Sequence, residues 1–208
     1  NATVNFTVSM ADPSDVPSDM VVTPGNETDP TVVNVTIPED AVGNVTVIID
    51  GVPYDNFTVV NGTVDVTLPI LPPGDHNITV VYPGDDNYPE IVKTEIITIP
   101  KIDDYERIVA VDSIDVGEVA VINITLPGDA NGGAVVVVNG AKYFVDVVNG
   151  TAQLNISGLG EGNYLVEVTF QGDNNYTEQT FNTSFDVSKV EDYPFDVNVT
   201  VDEYGNVI

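Results

Sequence analysis

Two short segments of this chain carry the residue types that bind hard cations. Gly84-Asp85-Asp86-Asn87-Tyr88 and Gly172-Asp173-Asn174-Asn175-Tyr176 line up carboxylate and amide oxygens in consecutive positions, the donor type that Ca²⁺ takes. Asp85, Asp86, Asn87, Asp173, Asn174 and Asn175 are therefore candidate Ca²⁺ ligands, although their spacing is not that of an EF-hand. The same residues suit tight turns, because Asp and Asn side chains hydrogen-bond nearby backbone groups. Turn formation accounts for them without an ion. A second acidic group, Asp103, Asp104, Glu191 and Asp192, sits in two copies of a junction, Lys101-Ile102-Asp103-Asp104-Tyr105 and Lys189-Val190-Glu191-Asp192-Tyr193. These acids can share an ion with a neighbouring tip loop, or simply solvate a linker. Ca²⁺ is the one cofactor the residues admit.

A different chemistry is written in the asparagines. Fourteen of the 20 begin an Asn-x-Ser/Thr acceptor: Asn1, Asn5, Asn26, Asn34, Asn44, Asn56, Asn61, Asn77, Asn123, Asn149, Asn155, Asn175, Asn182 and Asn198. Chance would supply about three, and the excess points to a glycosylated protein of the cell surface or cell wall. A second explanation stays open. A strand that alternates inward Val or Ile with outward polar residues places Asn and Thr two apart on one face.

Other chemistries find no support. The chain has no cysteine, so thiol catalysis and Cys-ligated zinc are ruled out. No nucleophile elbow, phosphate loop or His pair is present, and His76 is the only histidine. An enzyme is not expected. The formal charge of −28 repels nucleic acid phosphates, and no apolar run approaches the ~20 residues of a membrane-spanning helix. Lys101 and Lys189 recur beside acids, which favours surface ion pairs over Lys–Asn isopeptide bonds.

The elements that must position these residues recur with an offset of 88 to 89 residues. Asn34-Val35-Thr36-Ile37-Pro38 returns as Asn123-Ile124-Thr125-Leu126-Pro127, and Val59-Val60-Asn61-Gly62-Thr63 returns as Val147-Val148-Asn149-Gly150-Thr151. Within each copy the apolar period is two, and turn signals fall every eight to twelve residues or so, as in a sandwich. The second copy reads as seven strands, over 108–111, 120–126, 134–138, 143–148, 151–156, 164–170 and 181–187. Asp50-Gly51, Asn61-Gly62, Asn139-Gly140 and Asn149-Gly150 predict type I′ turns with φ > 0 at both central residues. Tyr164, after a Gly turn and at the start of the sixth strand, holds the place of a tyrosine corner; His76 stands there in the first copy.

The fold expected is all-β: two tandem immunoglobulin-like Greek-key β-sandwiches. Residues 13–101 form the first and 102–189 the second. Residues 1–12 read as a closing strand of a preceding repeat or a linker, and 190–208 as the opening strand of a following one, aligned from Pro194 to Val201.

The Val-Asn-Gly-Thr turn, the Leu-x-x-Gly turn, the Gly-Asp-x-Asn-Tyr loop and the Lys-x-x-Asp-Tyr junction, taken together and in this order, resemble the Ig-like repeats of archaeal, methanogen-type adhesin-like surface proteins. The resemblance implies a non-enzymatic extracellular array that serves as a stalk in attachment, with neighbouring repeats of the same chain as partners. The alternative it leaves is an adhesive module that binds a host-cell, microbial or glycan ligand through its tip loops, with or without Ca²⁺. The first copy departs from the pattern at His76 and at Pro89, where the second has Tyr164 and Thr177.

Overall fold

Alternation of Val and Ile with Asn, Asp and Thr gives each extended segment one apolar face, which can be hidden only against another such face. The computed structural model describes residues 3–5, 7, 9–190, 199–204 and 207. The chain divides into two compact units, residues 1–103 with 174–177, and 104–173 with 178–208.

Among the described residues unit 1 has seven strands: β1 (Asp19–Thr23), β2 (Val32–Thr36), β3 (Asn44–Ile49), β4 (Val52–Thr58), β5 (Thr63–Thr67), β6 (Gly74–Tyr82) and β7 (Ile91–Ile99). They form a three-stranded sheet in the order β1-β2-β5 and a four-stranded sheet in the order β4-β3-β6-β7. All the pairings are antiparallel. On β2, Val33 and Val35 are buried while Asn34 and Thr36 face out. Val45 and Val47 of β3, Val64 and Val66 of β5, and Ile78, Val80 and Tyr82 of β6 complete the core from the other strands.

Unit 2 repeats this plan with β8 (Ile108–Ala110), β9 (Ile114–Asp115), β10 (Ala120–Thr125), β11 (Gly132–Val138), β12 (Ala141–Val147), β13 (Thr151–Ile156), β14 (Gly162–Phe170) and β15 (Gln179–Ser188). Its sheets run β13-β10-β8 and β12-β11-β14-β15-β9. The seven expected strands are all present. The eighth, β9, pairs in parallel through two residues only, Val187 with Ile114 and Ser188 with Asp115, too short to leave an alternation in the sequence. Among the described residues the one helical turn is 3₁₀, at Pro13–Asp15, where the Asp12 carboxylate accepts from the Ser14 N–H.

Each expected turn has positive φ at both central positions: Asp50 51° and Gly51 80°, Asn61 49° and Gly62 69°, Asn139 45° and Gly140 89°, Asn149 49° and Gly150 74°. The first and third of these join strands of one sheet, β3 to β4 and β11 to β12. The second and fourth turn the chain from one sheet to the other. There the Gly62 carbonyl accepts from the Ile37 N–H at 2.8 Å, and the Gly150 carbonyl from the Leu126 N–H at 2.7 Å.

The described residues of the two terminal segments are less regular. Residues 3–5, 7 and 9–12 carry no strand, although the Ala11 N–H reaches the Asn87 carbonyl at 3.2 Å. Beyond Val190, residues 191–198 lie outside the described residues, with most of the strand expected there. Val201 and Val207 form an isolated bridge.

The turns generate a paired test. A Cβ on Gly150 would stand 2.6 Å from the Leu126 carbonyl oxygen and collide with that of Pro127, whereas one on Gly140 meets nothing within 4 Å. Gly140→Ala is expected to cost about 1–2 kcal/mol, the penalty of a left-handed non-glycine residue. Gly150→Ala is expected to cost clearly more, since it adds a clash with backbone. Denaturant unfolding of the two variants checks the order.

Candidate functional site

The tip loop of unit 1, between β6 and β7, is built around Asp85. Oδ1 accepts the N–H groups of Asn87 at 2.7 Å and Tyr88 at 2.9 Å. Oδ2 accepts the Val42 N–H at 2.9 Å and the Tyr82 hydroxyl at 2.8 Å. Two bonds per oxygen fill the four acceptor sites of a carboxylate, so Asp85 has no lone pair left for a cation unless a protein bond breaks. Tyr82 Oη also lies 3.0 Å from the Val42 carbonyl, and the Tyr88 hydroxyl donates to Asp40 Oδ1 at 2.6 Å. The loop is thus fastened to the β2–β3 loop by side chains rather than by backbone pairing.

Electrostatics follow this geometry. The Val42 N–H bond, with those from Asn87, Tyr82 and Tyr88, pulls the Asp85 carboxyl down to about 2 against its partial desolvation. Burial, then the Asp85 carboxylate beside it, pushes the Tyr82 phenol up to about 12.

Unit 2 keeps the central bond of this brace. Asp173 Oδ2 accepts the Asn131 N–H at 2.8 Å, the counterpart of Val42 N–H to Asp85. Phe170 replaces Tyr82 and is wholly buried, so the hydroxyl bridge is absent there. The Ile102 N–H donates to the Asn175 carbonyl at 2.8 Å and the Thr177 N–H to the Ile102 carbonyl at 3.0 Å. These bonds group residues 174–177 with the first 103. Asp86, Asn87 and Asn174 are exposed, and Asn175 is half-buried.

Of the junction acids, Asp103 and Asp104 are exposed, and Glu191 and Asp192 lie outside the described residues. Among the described residues no three His, Asp or Glu side chains converge on a point where a metal could sit. Lys189 forms an exposed ion pair with Glu161 at 2.8 Å, an acid just before β14 and not one of the junction acids beside it in the chain.

The acceptor asparagines separate into two sets. Asn5, Asn34, Asn44, Asn56, Asn61, Asn77, Asn123, Asn149, Asn155 and Asn182 are exposed, Asn26 and Asn175 are half-buried, and Asn1 and Asn198 lie outside the described residues. Several exposed ones are tied into cross-strand pairs: Asn34 Nδ2 donates to Asp65 Oδ1 at 2.7 Å, Asn56 Oδ1 accepts from Thr46 at 2.6 Å, and Asn123 Oδ1 accepts from Gln153 at 2.9 Å. Asn26 Oδ1 accepts the N–H groups of Thr28 and Asp29 in a local turn. Asn61 and Asn149 occupy left-handed turn positions. Each of these placements has its own structural reason for an asparagine.

At the other end of unit 1, the corner before β6 holds His76. Its Nε2 lies 2.8 Å from the Pro72 carbonyl and its Nδ1 2.8 Å from Asp50 Oδ2. In unit 2 the Tyr164 hydroxyl donates to the Gly160 carbonyl at 3.1 Å. The two rings do the same work from the same register, each reaching back four residues. Sequence reasoning located this corner but missed Asp50 as the partner, because Asp50-Gly51 already reads completely as a turn.

With these sites in view, the class of the protein is clear: an all-β chain of two tandem immunoglobulin-like β-sandwiches. Residues 16–99 match the family model of the bacterial Ig-like domain (group 3), a kind of module that is generally non-catalytic. No curated protein matches the chain. Similar solved structures include the fibronectin(III)-like modules of CbhA from Clostridium thermocellum, at 13% identity over 86% of this chain and 100% of that one, with a TM-score of 0.34. A 1.5-MDa bacterial ice-binding adhesin is similar at 16% identity over 86% of this chain and 66% of that one, TM-score 0.34. The BSP domain of a biofilm associated protein is similar at 21% identity over 84% and 30%, TM-score 0.28.

The Asp85 brace carries a pH signature. A carboxyl held at about 2 in the folded chain and near 3.8 when unfolded stabilises unit 1 above the unfolded value, and that stabilisation is lost as pH falls through about 2. Asp85→Asn, which sets an NH₂ among four donors, is expected to lower the melting temperature at neutral pH and to flatten this acid limb. Asp86→Asn, at an exposed loop position, is expected to change little. Thermal melts of both variants between neutral pH and about pH 2 test the pair.

Proposed function

We propose that this chain is a non-catalytic spacer segment of an extracellular surface protein, in which the repeats bear a distal part rather than bind a ligand themselves. The observation that carries this reading is the shared construction of the two tips. In both units the acid of the Gly-Asp-x-Asn-Tyr loop is spent on a backbone N–H of the facing loop, Asp85 on Val42 and Asp173 on Asn131. A binding loop needs polar groups left over for its ligand, and loops that carry function usually differ from copy to copy. Two tips held alike by the same bond suit a repeated structural unit.

The surface location rests on the match of residues 16–99 to a bacterial Ig-like domain, on the acceptor asparagines, and on the resemblance to adhesin-like repeats. The acidic surface, with 33 acidic and five basic residues, keeps such a segment soluble and repels anionic surfaces at long range.

Stretching single molecules tests the mechanical side. Two unfolding events are expected, each releasing ~300 Å of chain for a repeat of 88 to 89 residues. Glycan-array and cell-binding assays with the same chain test the other side. No saturable binding is expected; reproducible saturable binding that is lost when Asp86, Asn87 and Asn174 are replaced by alanine would establish the adhesive-module reading instead.

A further inference from the structure

The two repeats use one corner in two chemical forms. In unit 2 the corner ring is the Tyr164 phenol, and the turn beside it holds Asn139, whose Oδ1 accepts the Leu165 N–H at 3.0 Å. In unit 1 the same two places carry His76 and Asp50, and Asp50 Oδ1 accepts the Asn77 N–H at 2.8 Å. The exchange thus replaces a phenol and a carboxamide by an imidazole and a carboxylate, while the backbone bonds of the corner are kept.

The imidazole has little choice of protonation state. It is 8% exposed, and both of its nitrogens face acceptors that have no proton to give, a backbone carbonyl at 2.8 Å and a carboxylate at 2.8 Å. A neutral ring has one N–H, so one of these contacts would set lone pair against lone pair. The imidazolium satisfies both. We propose that His76 and Asp50 form a proton-dependent latch on the corner of unit 1, closed when the ring carries both protons and weakened when it loses one, and that unit 2, with no imidazole at its corner, has no such dependence.

The charged groups that act on the ring are Asp50, which faces it from the β3–β4 turn, and Asp75, its chain neighbour on β6, whose side chain points to the other face and accepts from Thr98. Residues 68–73, before β6, bring the Pro72 carbonyl and no titratable side chain, and β7 places Ile97 opposite His76 in register. Burial opposes the charge on the ring. The bonds to Asp50 and Pro72, with the negative charges of Asp50 and Asp75, outweigh it and hold the pKa above the ordinary 6.5. Asp50 is lowered below 3.8 in return, first by the His76 bond and then by the Asn77 N–H.

The sign of the effect follows from linkage. A raised imidazole contributes its full stabilisation below the unfolded value of 6.5, and that contribution disappears as pH rises through the raised folded value. A lowered carboxyl contributes above 3.8 and fades as pH falls through its own folded value. Unit 1 is therefore held tightest in mildly acidic solution and loosens first at this corner when the medium turns alkaline.

His76 is the only histidine in the chain, so one imidazole signal in a proton NMR titration of the full chain belongs to it without assignment. A midpoint above 6.5 is expected, and Asp50→Asn is expected to move it down. His76→Tyr installs the corner of the second repeat. In melts, the wild-type chain is expected to lose about 4 °C or more between about pH 5.5 and about pH 8.5 relative to His76→Tyr, a size typical of one good interaction in a domain this small. A midpoint at or below 6.5, or one that Asp50→Asn leaves in place, overturns the proposal even if His76→Tyr fails to fold.

Discussion

Strand register is the constraint on which both repeats depend, and four Asx-Gly turns set it. A slip of one residue would send Val33 and Val35 of β2, or Ile122 and Ile124 of β10, to the solvent and Asn34 and Thr36, or Asn123 and Thr125, inward. The turns prevent this because each requires left-handed backbone at two successive residues, which an Asx-Gly pair accepts and few others do. Gly62 and Gly150 add a second condition. Their carbonyls receive N–H groups from Ile37 and Leu126, just beyond β2 and β10, so the point where the chain changes sheets is tied to the strand it must face.

With the register fixed, the outward faces become ladders of polar side chains. Thr79 meets Thr94 at 3.0 Å, Thr169 meets Thr180 at 2.9 Å, Thr98 donates to Asp75 at 2.6 Å, and Asn163 donates to Asp186 at 2.9 Å. Such cross-strand pairs each contribute a few tenths of a kcal/mol to about 1 kcal/mol. They also explain, without any modification, why Asn and Thr recur two apart. Where acceptors lie on strands, as at Asn34, Asn56 and Asn123, they and the stitching of the sheets are consequences of one alternation, and selection for either would enrich the other.

The elements were legible in the sequence because the alternation is strict and the turns have a mechanism. All four Asx-Gly turns adopt the expected backbone, and the strands of the second repeat lie within a few residues of where the pattern put them. β9 was not legible, since two residues cannot show a period. The site was legible only in part. Asp85 and Asp173 stood out as acids in a loop, yet nothing in their spacing says that their oxygens are filled by Val42 and Asn131, more than 40 residues away in the chain. The same limit hid Asp50 from His76: pairing across a sandwich is set by topology, and a residue that satisfies one local rule gives no hint of a second task.

One difference between the repeats bears on how they meet other chains. In unit 2 the short strand β9 lies along the end of β15, and the Val116 N–H adds a bond to the Ser188 carbonyl at 2.8 Å. The end of that sheet's outermost strand is thereby closed. In unit 1 the stretch at the same place, Gly25 to Pro30, is folded into a turn around Asn26, and among the described residues β7 ends its sheet without a neighbouring strand. Along this edge β7 carries the charged side chains of Lys93 and Glu95, the kind of residue that discourages edge-to-edge pairing. If segments of this kind are crowded side by side, the end of β7 in the first repeat, unlike the end of β15 in the second, presents a margin on which a foreign strand can be templated.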